Sequence, residues 1–171
     1  MKRFAVIAFY GVFLGLGPAM PKAHAQTQPA LLEQYQDWTF RCFTGPQSRC
    51  ELFQNRINPQ TKQPVFWVEW TRHLSGKEEL AIITPLGSRV ADGLTLSVDG
   101  AFSWTVAIRT CVPVGCMAQI NINKVLLNRI MRGKILIATL TSLSGDKVPM
   151  QISLAGFAKG YARLESQIKL R

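Results

Sequence analysis

The sequence predicts a mainly β domain, built as a sandwich or a barrel. Short segments in which apolar and polar residues alternate recur along the chain, separated by turn-forming residues roughly every 8–12 positions. The four cysteines fall into two closely spaced pairs, each enclosing a turn. Only the segment 122–131 shows a clear change from alternation to helical spacing.

The first 25 residues have the order of a secretory signal peptide. Lys2 and Arg3 precede an apolar run over 4–16, and Ala23-His24-Ala25 forms a small-x-small cleavage site. The run is shorter than the roughly 20 apolar residues that a membrane helix needs. We therefore predict cleavage between Ala25 and Gln26, and no transmembrane span in the chain that remains.

The predicted organisation has four parts. Residues 1–25 are the signal peptide, and 26–35 form a flexible mature N-terminus rich in Gln, Thr and Pro. Residues 36–165 are long enough for one domain with a hydrophobic core. Residues 166–171 form a basic C-terminal tail.

The first two predicted strands form a hairpin. Apolar and polar residues alternate over 37–43 and again over 49–56, and the turn-forming run 44–48 separates the two segments. Cys42 and Cys50 lie on the apolar faces of the two strands. A disulfide between them would join the strands of the hairpin.

Cysteine spacing favours two local disulfides. Four cysteines allow three connectivities, and Pro and Gly within 112–115 reverse the chain between Cys111 and Cys116. The favoured pairs are therefore Cys42–Cys50 and Cys111–Cys116. Neither pair is C-x-x-C, the spacing expected of zinc ligands or of a thioredoxin-like redox site.

The middle of the chain continues as strands. Residues 64–72 are rich in β-branched and aromatic side chains and are apolar on both faces. A further strand follows at 79–84, and alternation resumes over 94–98. After the Asp99-Gly100 hairpin turn, the alternation continues from residue 104 to residue 111.

The segment 122–131 is predicted to be an amphipathic helix. Its apolar residues recur at three- and four-residue intervals, Asn121 or Asn123 can cap its start, and Gly133 can end it. Strands are predicted at 134–143 and 148–154. Helical spacing returns over 153–164, where Gly156 and Gly160 weaken the preference for a helix.

His73 and Glu69 are the candidate catalytic residues. His73 is the sole histidine beyond the signal peptide, and no serine lies in a G-x-S-x-G motif. Glu69 lies among aromatic residues, which could raise its pKa and stack a sugar ring. Alternatively, Glu69 faces solvent or pairs with an arginine such as Arg72, while the aromatic side chains fill the core.

The chain is basic, with 20 Lys and Arg against 10 Asp and Glu. Such a surplus attracts anionic partners, although it also keeps a domain soluble. Arg129, Arg132 and Lys134 form a candidate anion-binding patch. In an exported protein, suitable partners are lipopolysaccharide, anionic lipid, acidic polysaccharide or host glycans, and nucleic acid is disfavoured.

Several sequence features occur in the order found in one protein family. They are Trp38 before Cys42 and Cys50, Pro85-Leu86-Gly87, Val98-Asp99, Cys111 followed by Gly115-Cys116-Met117-Ala118, and Ser153-Leu154-Ala155-Gly156-Phe157 with Ala162 and Leu164. From about Gln36 to Leu164 the chain resembles the invasion-associated locus B family of exported bacterial proteins.

The resemblance implies an immunoglobulin-like β-sandwich with one or two short helices and two local disulfides. It also implies a periplasmic, secreted or cell-surface location in a Gram-negative bacterium, and a role in invasion of host cells in the members that gave the family its name. No catalytic residue and no cofactor are carried over. The matched cysteines, Trp38, Gly115 and Gly156-Phe157 are interpreted as framework residues.

We therefore expect an exported, non-enzymatic protein that binds an envelope or host-surface component. Two alternatives remain. One is an envelope hydrolase that uses Glu69 or His73. The other is a structural or chaperone-like periplasmic subunit, which would dock a partner on a sheet edge.

Overall fold

The computed structural model describes residues 29–44, 49–62, 64–73 and 75–169. Within these ranges the chain forms eleven strands, two α-helices and a short 3-10 turn at Val90–Asp92. The predicted signal peptide, its cleavage site at Ala25–Gln26 and most of the turn 44–48 lie outside the described residues.

The elements follow one another along the chain with short connections. They are β1 (Leu31–Tyr35), β2 (Trp38–Phe43), β3 (Arg49–Ile57), β4 (Pro64–Arg72), β5 (Glu78–Thr84), β6 (Leu94–Val98), β7 (Phe102–Val106), β8 (Ile108–Val112), β9 (Gly115–Asn121), α1 (Lys124–Arg132), β10 (Ile135–Thr141), β11 (Lys147–Ser153) and α2 (Phe157–Lys169).

The strands form two antiparallel sheets. The large sheet has the order β1-β2-β3-β4-β5-β9-β8, so that its first five strands follow one another as a meander. The small sheet has the order β11-β10-β6-β7 and consists of two hairpins joined through β10 and β6. This architecture confirms the predicted β-sandwich with two helices.

Alternation along the strands produces the shared core. In β4, Phe66, Val68 and Trp70 are buried, while Trp67 and Glu69 point to the opposite face. We call that opposite side of the large sheet its outer face. The buried residues of the small sheet and of both helices belong to the same hydrophobic cluster as those of the large sheet.

Helix α2 completes the core over the first strands. Phe157, Tyr161 and Leu164 are buried at helical spacing. The ring of Phe157 meets those of Trp38 and Trp70 at centroid distances of 5.0 and 4.9 Å, both edge to face. The last helix therefore packs on strands from the beginning of the domain.

Helix α1 forms where the helical spacing predicted it. The side chain of Asn123 accepts a hydrogen bond from the Leu126 amide, and Gly133 follows the last turn. Leu126 and Ile130 are buried against the sandwich. Of the two predicted candidates, Asn121 and Asn123, it is therefore Asn123 that caps the helix.

Both predicted disulfides are present. Cys42 and Cys50 face each other in the β2–β3 hairpin, and Cys111 pairs with Cys116 across the β8–β9 turn. All four cysteines are therefore paired, and none is free. The prediction of two local disulfides is confirmed.

Two terminal predictions need correction. Residues 31–35, expected to be flexible, form β1, which pairs with β2 along its whole length. Helix α2 begins at Phe157, four residues later than predicted, and runs through Lys169 into the expected tail. Both segments are held by tertiary contacts, such as the ion pair between Arg163 and Glu33, that local sequence does not reveal.

Two further differences concern β7, β8 and β9. The alternating segment 104–111 was predicted as one strand, but β7 belongs to the small sheet and β8 to the large one. Because alternation continues through Ala107, periodicity does not mark this change of sheet. Strand β9 was not predicted, since Gly115 and Ala118 have weak β propensity and occur among its first four residues.

Candidate functional site

A cleft of about 340 Å³ opens on the outer face of the large sheet, and we call it the apolar cleft. It is lined by Pro64, Phe66, Trp67, Glu69, Ile83, Thr84, Pro85 and Val114. Trp67 and Ile83 are direct partners in the pairing of β4 with β5. Apart from Glu69 and Thr84, the lining side chains are apolar, so the cleft suits a hydrophobic group.

Gly115 brings the β8–β9 turn against β5. Its φ of +147° is rarely adopted by other residues, and a Cβ at this position would lie 2.3 Å from the carbonyl oxygen of Thr84. The absence of a side chain therefore allows the turn to approach the sheet. This approach places Val114 at the wall of the apolar cleft.

Beside the cleft, Arg41 joins two carboxylates on the outer face. Its Nε donates to Glu51 Oε1 at 2.6 Å, and its Nη2 lies 3.1 Å from Glu69 Oε1. Arg49 Nε lies 3.0 Å from the other oxygen of Glu51. Glu51 has no exposed side-chain surface, so the two arginines neutralise a fully buried charge.

Aromatic rings enclose the same guanidinium. The Arg41 Cζ lies 4.0 Å from the centroid of the Phe53 ring and 5.6 Å from that of Trp67. The Phe53 and Trp67 rings are 4.8 Å apart. Several contacts thus fix the position of Arg41, as expected of a structural ion pair.

Burial raises the pKa of Glu69, and the nearby negative charge of Glu51 raises it further. The hydrogen bond from Trp67 Nε1, at 2.9 Å, and the positive charges of Arg41 and Arg49 lower the pKa of Glu69 and partly offset this rise. The carboxyl group thus borders an apolar cleft with an increased affinity for a proton. Glu69 does pair with an arginine, as one of the alternatives had it, but the partner is Arg41 and not Arg72.

Arg72 instead joins β4 to α2 through an ion pair with Glu165. Its Nη1 lies 2.8 Å from Glu165 and 3.3 Å from Glu78. The same nitrogen donates to the hydroxyl of Tyr161, which in turn donates to Glu78 at 2.5 Å. Burial raises the pKa of Tyr161, so this hydroxyl stays protonated.

His73 lies apart from Glu69. The two residues are four positions apart on or next to β4, which corresponds to about 13 Å along an extended chain. The exposed His73 ring places Nε2 3.2 Å from Glu79, whose carboxylate also binds Lys77. These contacts lower the pKa of Glu79. The structure therefore does not bring the two catalytic candidates together.

The predicted basic patch is partly assembled. Arg129 and Arg132 line a shallow depression of about 480 Å³ beside α1, together with Asp99 and Val125. The Arg129 guanidinium stacks 4.1 Å from the centroid of Phe102. Lys134 is exposed but does not line the depression, which we call the α1 depression.

Arg41 and Glu51 were not among the residues predicted from sequence. Their ion pair could have been predicted, because a disulfide between Cys42 and Cys50 sets the register of the hairpin and places Arg41 opposite Glu51. The exposed apolar residues around the cleft, Leu86 and Val114 among them, were also missed. Their proximity arises from tertiary structure.

The comparisons with known proteins agree with the fold. The family model described as Invasion associated locus B (IalB) protein matches residues 38–165. The chain belongs to this family.

Its similarity to curated relatives extends over nearly the whole chain. Two proteins of Brucella abortus, both named Invasion protein B homolog, are each 29% identical over 175 residues, covering 99% of this chain and 100% of the relative. Invasion protein B of Bartonella bacilliformis is 26% identical over 160 residues, covering 87% of this chain and 84% of the relative.

A solved structure shares the architecture. The crystal structure of invasion associated protein B from Bartonella henselae matches with a TM-score of 0.74 at 25% identity, covering 82% of this chain and 99% of that one. In the present chain, several of the motif residues are buried in the framework, among them Trp38, Cys116 and Phe157. Trp38 is buried, and its Nε1 donates to the Ser153 carbonyl at 2.8 Å.

Two kinds of feature are absent from the described residues. No group of three or more His, Cys, Asp or Glu side chains there is arranged to hold a metal ion. Among the same residues, no helix has the length and hydrophobicity to cross a membrane.

Proposed function

We propose that this invasion-associated locus B protein is an exported, non-enzymatic binding protein that contacts an anionic component of the envelope or of a host cell. The observation that carries the proposal is the pair Arg129 and Arg132. Both line the α1 depression, and neither forms an ion pair within the described part of the chain.

The positions and contacts of these two arginines favour binding of an anion. They are three residues apart on one helix face, and stacking on Phe102 restricts the guanidinium of Arg129. Asp99, the acidic residue in the lining, already accepts hydrogen bonds from the backbone amides of Lys134 and Ile135. Guanidinium groups bind phosphate and carboxylate through paired hydrogen bonds.

Export supports this choice of partner. The N-terminal sequence has the features of a signal peptide, and two disulfides are typical of proteins that fold in an oxidising compartment. We place the protein in the periplasm or at the cell surface of a Gram-negative bacterium. The names of its relatives connect them with invasion, and we propose that this protein contributes to host-cell contact.

The test is binding to purified lipopolysaccharide and to host cells over a series of salt concentrations. We expect binding to weaken as salt rises, and the double substitution Arg129→Gln/Arg132→Gln to reduce affinity at least about tenfold. Arg56→Gln/Lys159→Gln removes two exposed charges elsewhere and serves as the matched control. Equal losses in both double variants would contradict a specific site.

Hydrolysis is the second candidate, because the pKa of Glu69 is raised beside a cleft. Against it, the neighbouring carboxylate Glu51 is fully buried and held by Arg41 and Arg49, so it is not available to a substrate. Cleavage of envelope glycans by the purified protein, abolished by Glu69→Gln, would favour the hydrolase. Stable capture of one periplasmic protein by crosslinking would favour a chaperone-like subunit.

A further inference from the structure

Exposed aliphatic side chains lie on three neighbouring turns next to the apolar cleft. Leu86 follows β5, Val114 lies in the β8–β9 turn, and Leu143 lies in the β10–β11 turn. Their exposed fractions are 57, 66 and 69%. Aliphatic side chains with such exposure, gathered on one surface, indicate a contact with an apolar partner. We call these three residues the aliphatic tip.

Backbone contacts show that the three turns are neighbours. The Leu143 amide donates to the carbonyl of Gly87, next to Leu86, at 3.0 Å. Pro85, on the other side of Leu86, shares the lining of the apolar cleft with Val114. The tip is therefore one surface, assembled from residues that are far apart in the sequence.

Two cations border the tip. Arg89 Nη2 donates to the Leu143 carbonyl at 3.3 Å, and Lys147 Nζ donates to Thr141 Oγ1 at 2.7 Å. The Arg89 amide also binds the carbonyl of Thr141, so both cations flank the same residue. Neither takes part in an ion pair within the described residues.

Carboxylates are present on the same turns but leave these cations free. Asp146 accepts a hydrogen bond from Ser144 Oγ at 2.5 Å within the β10–β11 turn. Asp92 lies in the 3-10 turn that follows Arg89. The positive charge near Leu143 is therefore not neutralised by direct contact. The full chain carries a net charge of +10, of which only Lys2, Arg3 and Lys22 lie in the predicted signal peptide, so the exported form stays basic.

We propose that the aliphatic tip docks onto the surface of a bilayer that contains anionic phospholipid. Leu86, Val114 and Leu143 would enter the boundary between headgroups and acyl chains. Arg89 and Lys147 would reach the phosphate groups. This binding surface is separate from the α1 depression and extends the proposed function.

The backbone of the turns argues against strand addition as the mode of contact. The Ser142 amide donates to the backbone carbonyl of Asp146, and the Gly145 amide donates to the backbone carbonyl of Ser142. These backbone groups therefore already have partners within the turn. A partner that added a strand would need unpaired amides and carbonyls. A lipid surface needs only exposed aliphatic side chains and neighbouring cations.

The experiment measures sedimentation of the disulfide-bonded protein with vesicles. One set of vesicles contains phosphatidylcholine alone, and the other contains a mixture with phosphatidylglycerol. We expect binding to the mixed vesicles, and a reduction of at least about tenfold in partitioning for Leu86→Ser/Leu143→Ser. The matched control is Leu31→Ser/Leu32→Ser, which removes two exposed leucines from β1.

Further variants separate this inference from the proposed function. Arg89→Gln/Lys147→Gln should weaken binding to mixed vesicles, whereas Arg129→Gln/Arg132→Gln should leave it unchanged. Loss of vesicle binding in the α1 variant alone would overturn the inference. So would equal losses in both leucine double variants, or absence of vesicle binding by the unmodified protein.

Sedimentation velocity tests whether a second copy of this chain, instead of a bilayer, covers the aliphatic tip. We expect the unmodified protein and Leu86→Ser/Leu143→Ser to show the same oligomeric state. Dissociation of an oligomer by this variant, without any effect of phosphatidylglycerol on binding, would assign the tip to self-association and overturn the inference.

Discussion

Glu51 is a buried carboxylate on the side of the large sheet that faces away from the small sheet. Removing a carboxylate from water is unfavourable unless cations and hydrogen bonds replace its hydration. Arg41 and Arg49 supply them, and the rings of Phe53 and Trp67 enclose the Arg41 side chain. Arg41 therefore contacts both neighbouring carboxylates of the outer face, Glu51 and Glu69, and Arg49 supports the first of them.

Arg41→Ala is expected to lower the free energy of unfolding by about 3 kcal/mol, because it leaves Glu51 buried with only part of its compensation. Urea denaturation with the disulfides intact measures the change. Arg56→Ala, at an exposed arginine of the neighbouring strand, should stay within about 0.5 kcal/mol of the unmodified protein. Similar losses in the two variants would contradict a structural role for Arg41.

Glu69 should make stability depend on pH in a specific direction. Because its pKa in the folded protein is raised above the ordinary value of 4.5, the folded state binds the proton at a higher pH than the unfolded chain. Between the ordinary and the raised value, the contribution of Glu69 to the unfolding free energy decreases as pH rises.

Comparison with Glu69→Gln isolates this contribution. Glu33 and Glu79, whose pKa values are lowered by their cationic partners, give the opposite slope in both proteins. We expect the stability of the unmodified protein relative to Glu69→Gln to fall as pH increases through that window, measured by urea unfolding. A difference that is constant across the window would refute the raised pKa.

The contacts of Arg41 also show which features of the outer face could be predicted from the sequence. Once Cys42 and Cys50 are paired, the hairpin register places Arg41 opposite Glu51, so the ion pair was predictable. The contact between Arg41 and Glu69 was not. It depends on the pairing of β3 with β4, which the alternation of apolar residues does not fix without a known turn.

At the scale of elements, the connection from β11 to α2 packs closely against the β1–β2 turn. Gly156 has a φ of +85°, and a Cβ there would lie 1.9 Å from the Tyr35 carbonyl oxygen. Backbone thus meets backbone where the last helix begins. A side chain at Gly156 would have to displace either the helix or the first hairpin.

Gly156→Ala is expected to lower the free energy of unfolding by about 3 kcal/mol, the sum of backbone strain and a main-chain clash. Gly76→Ala is the matched control, since Gly76 has a similar φ of +81° but a Cβ there would have nothing within 4 Å. The control should cost about 1 kcal/mol, from strain alone. Equal costs in thermal or urea unfolding would exclude the clash.

The strands show where local pattern is informative and where it fails. Segment 64–72 was predicted with the bounds of β4, because its β-branched and aromatic residues are bounded by clear turns. Strands β7 and β8 were merged, since a chain that changes sheets keeps its alternation. Strand β1 was missed because its order comes from pairing with β2 and from the Arg163–Glu33 contact.

At the scale of the whole molecule, sequence patterns predicted the architecture but not its surfaces. Period-two alternation, the cysteine pairs and one amphipathic segment predicted a sandwich or a barrel with a helix, and the family resemblance implied the sandwich that the structure shows. The aliphatic tip requires the turn that contains Leu143, in the small sheet, to lie beside the segment that contains Leu86, after a strand of the large sheet. No local sequence pattern predicts that the two segments are neighbours. Surfaces built by loops from different sheets therefore need a three-dimensional structure.

Export remains a prediction, and intact-mass measurement on protein from the native cell tests it. We expect a mature chain that begins at Gln26, with a mass lower by four hydrogens than that of the reduced form because both disulfides are closed. Retention of Met1, or free thiols in the native material, would contradict export. Fractionation of the same cells separates periplasmic from surface material.

The position of α2 has a consequence for biosynthesis. Phe157 and Tyr161 cover Trp38 and Trp70, so β2 and β4 obtain part of their cover from a helix that is translated much later. A nascent chain that stops before Phe157 leaves the rings of Trp38 and Trp70 without these partners. The packing of the first strands therefore depends on translation of α2, and a chain that ends before this helix is expected to aggregate more readily than one that contains it.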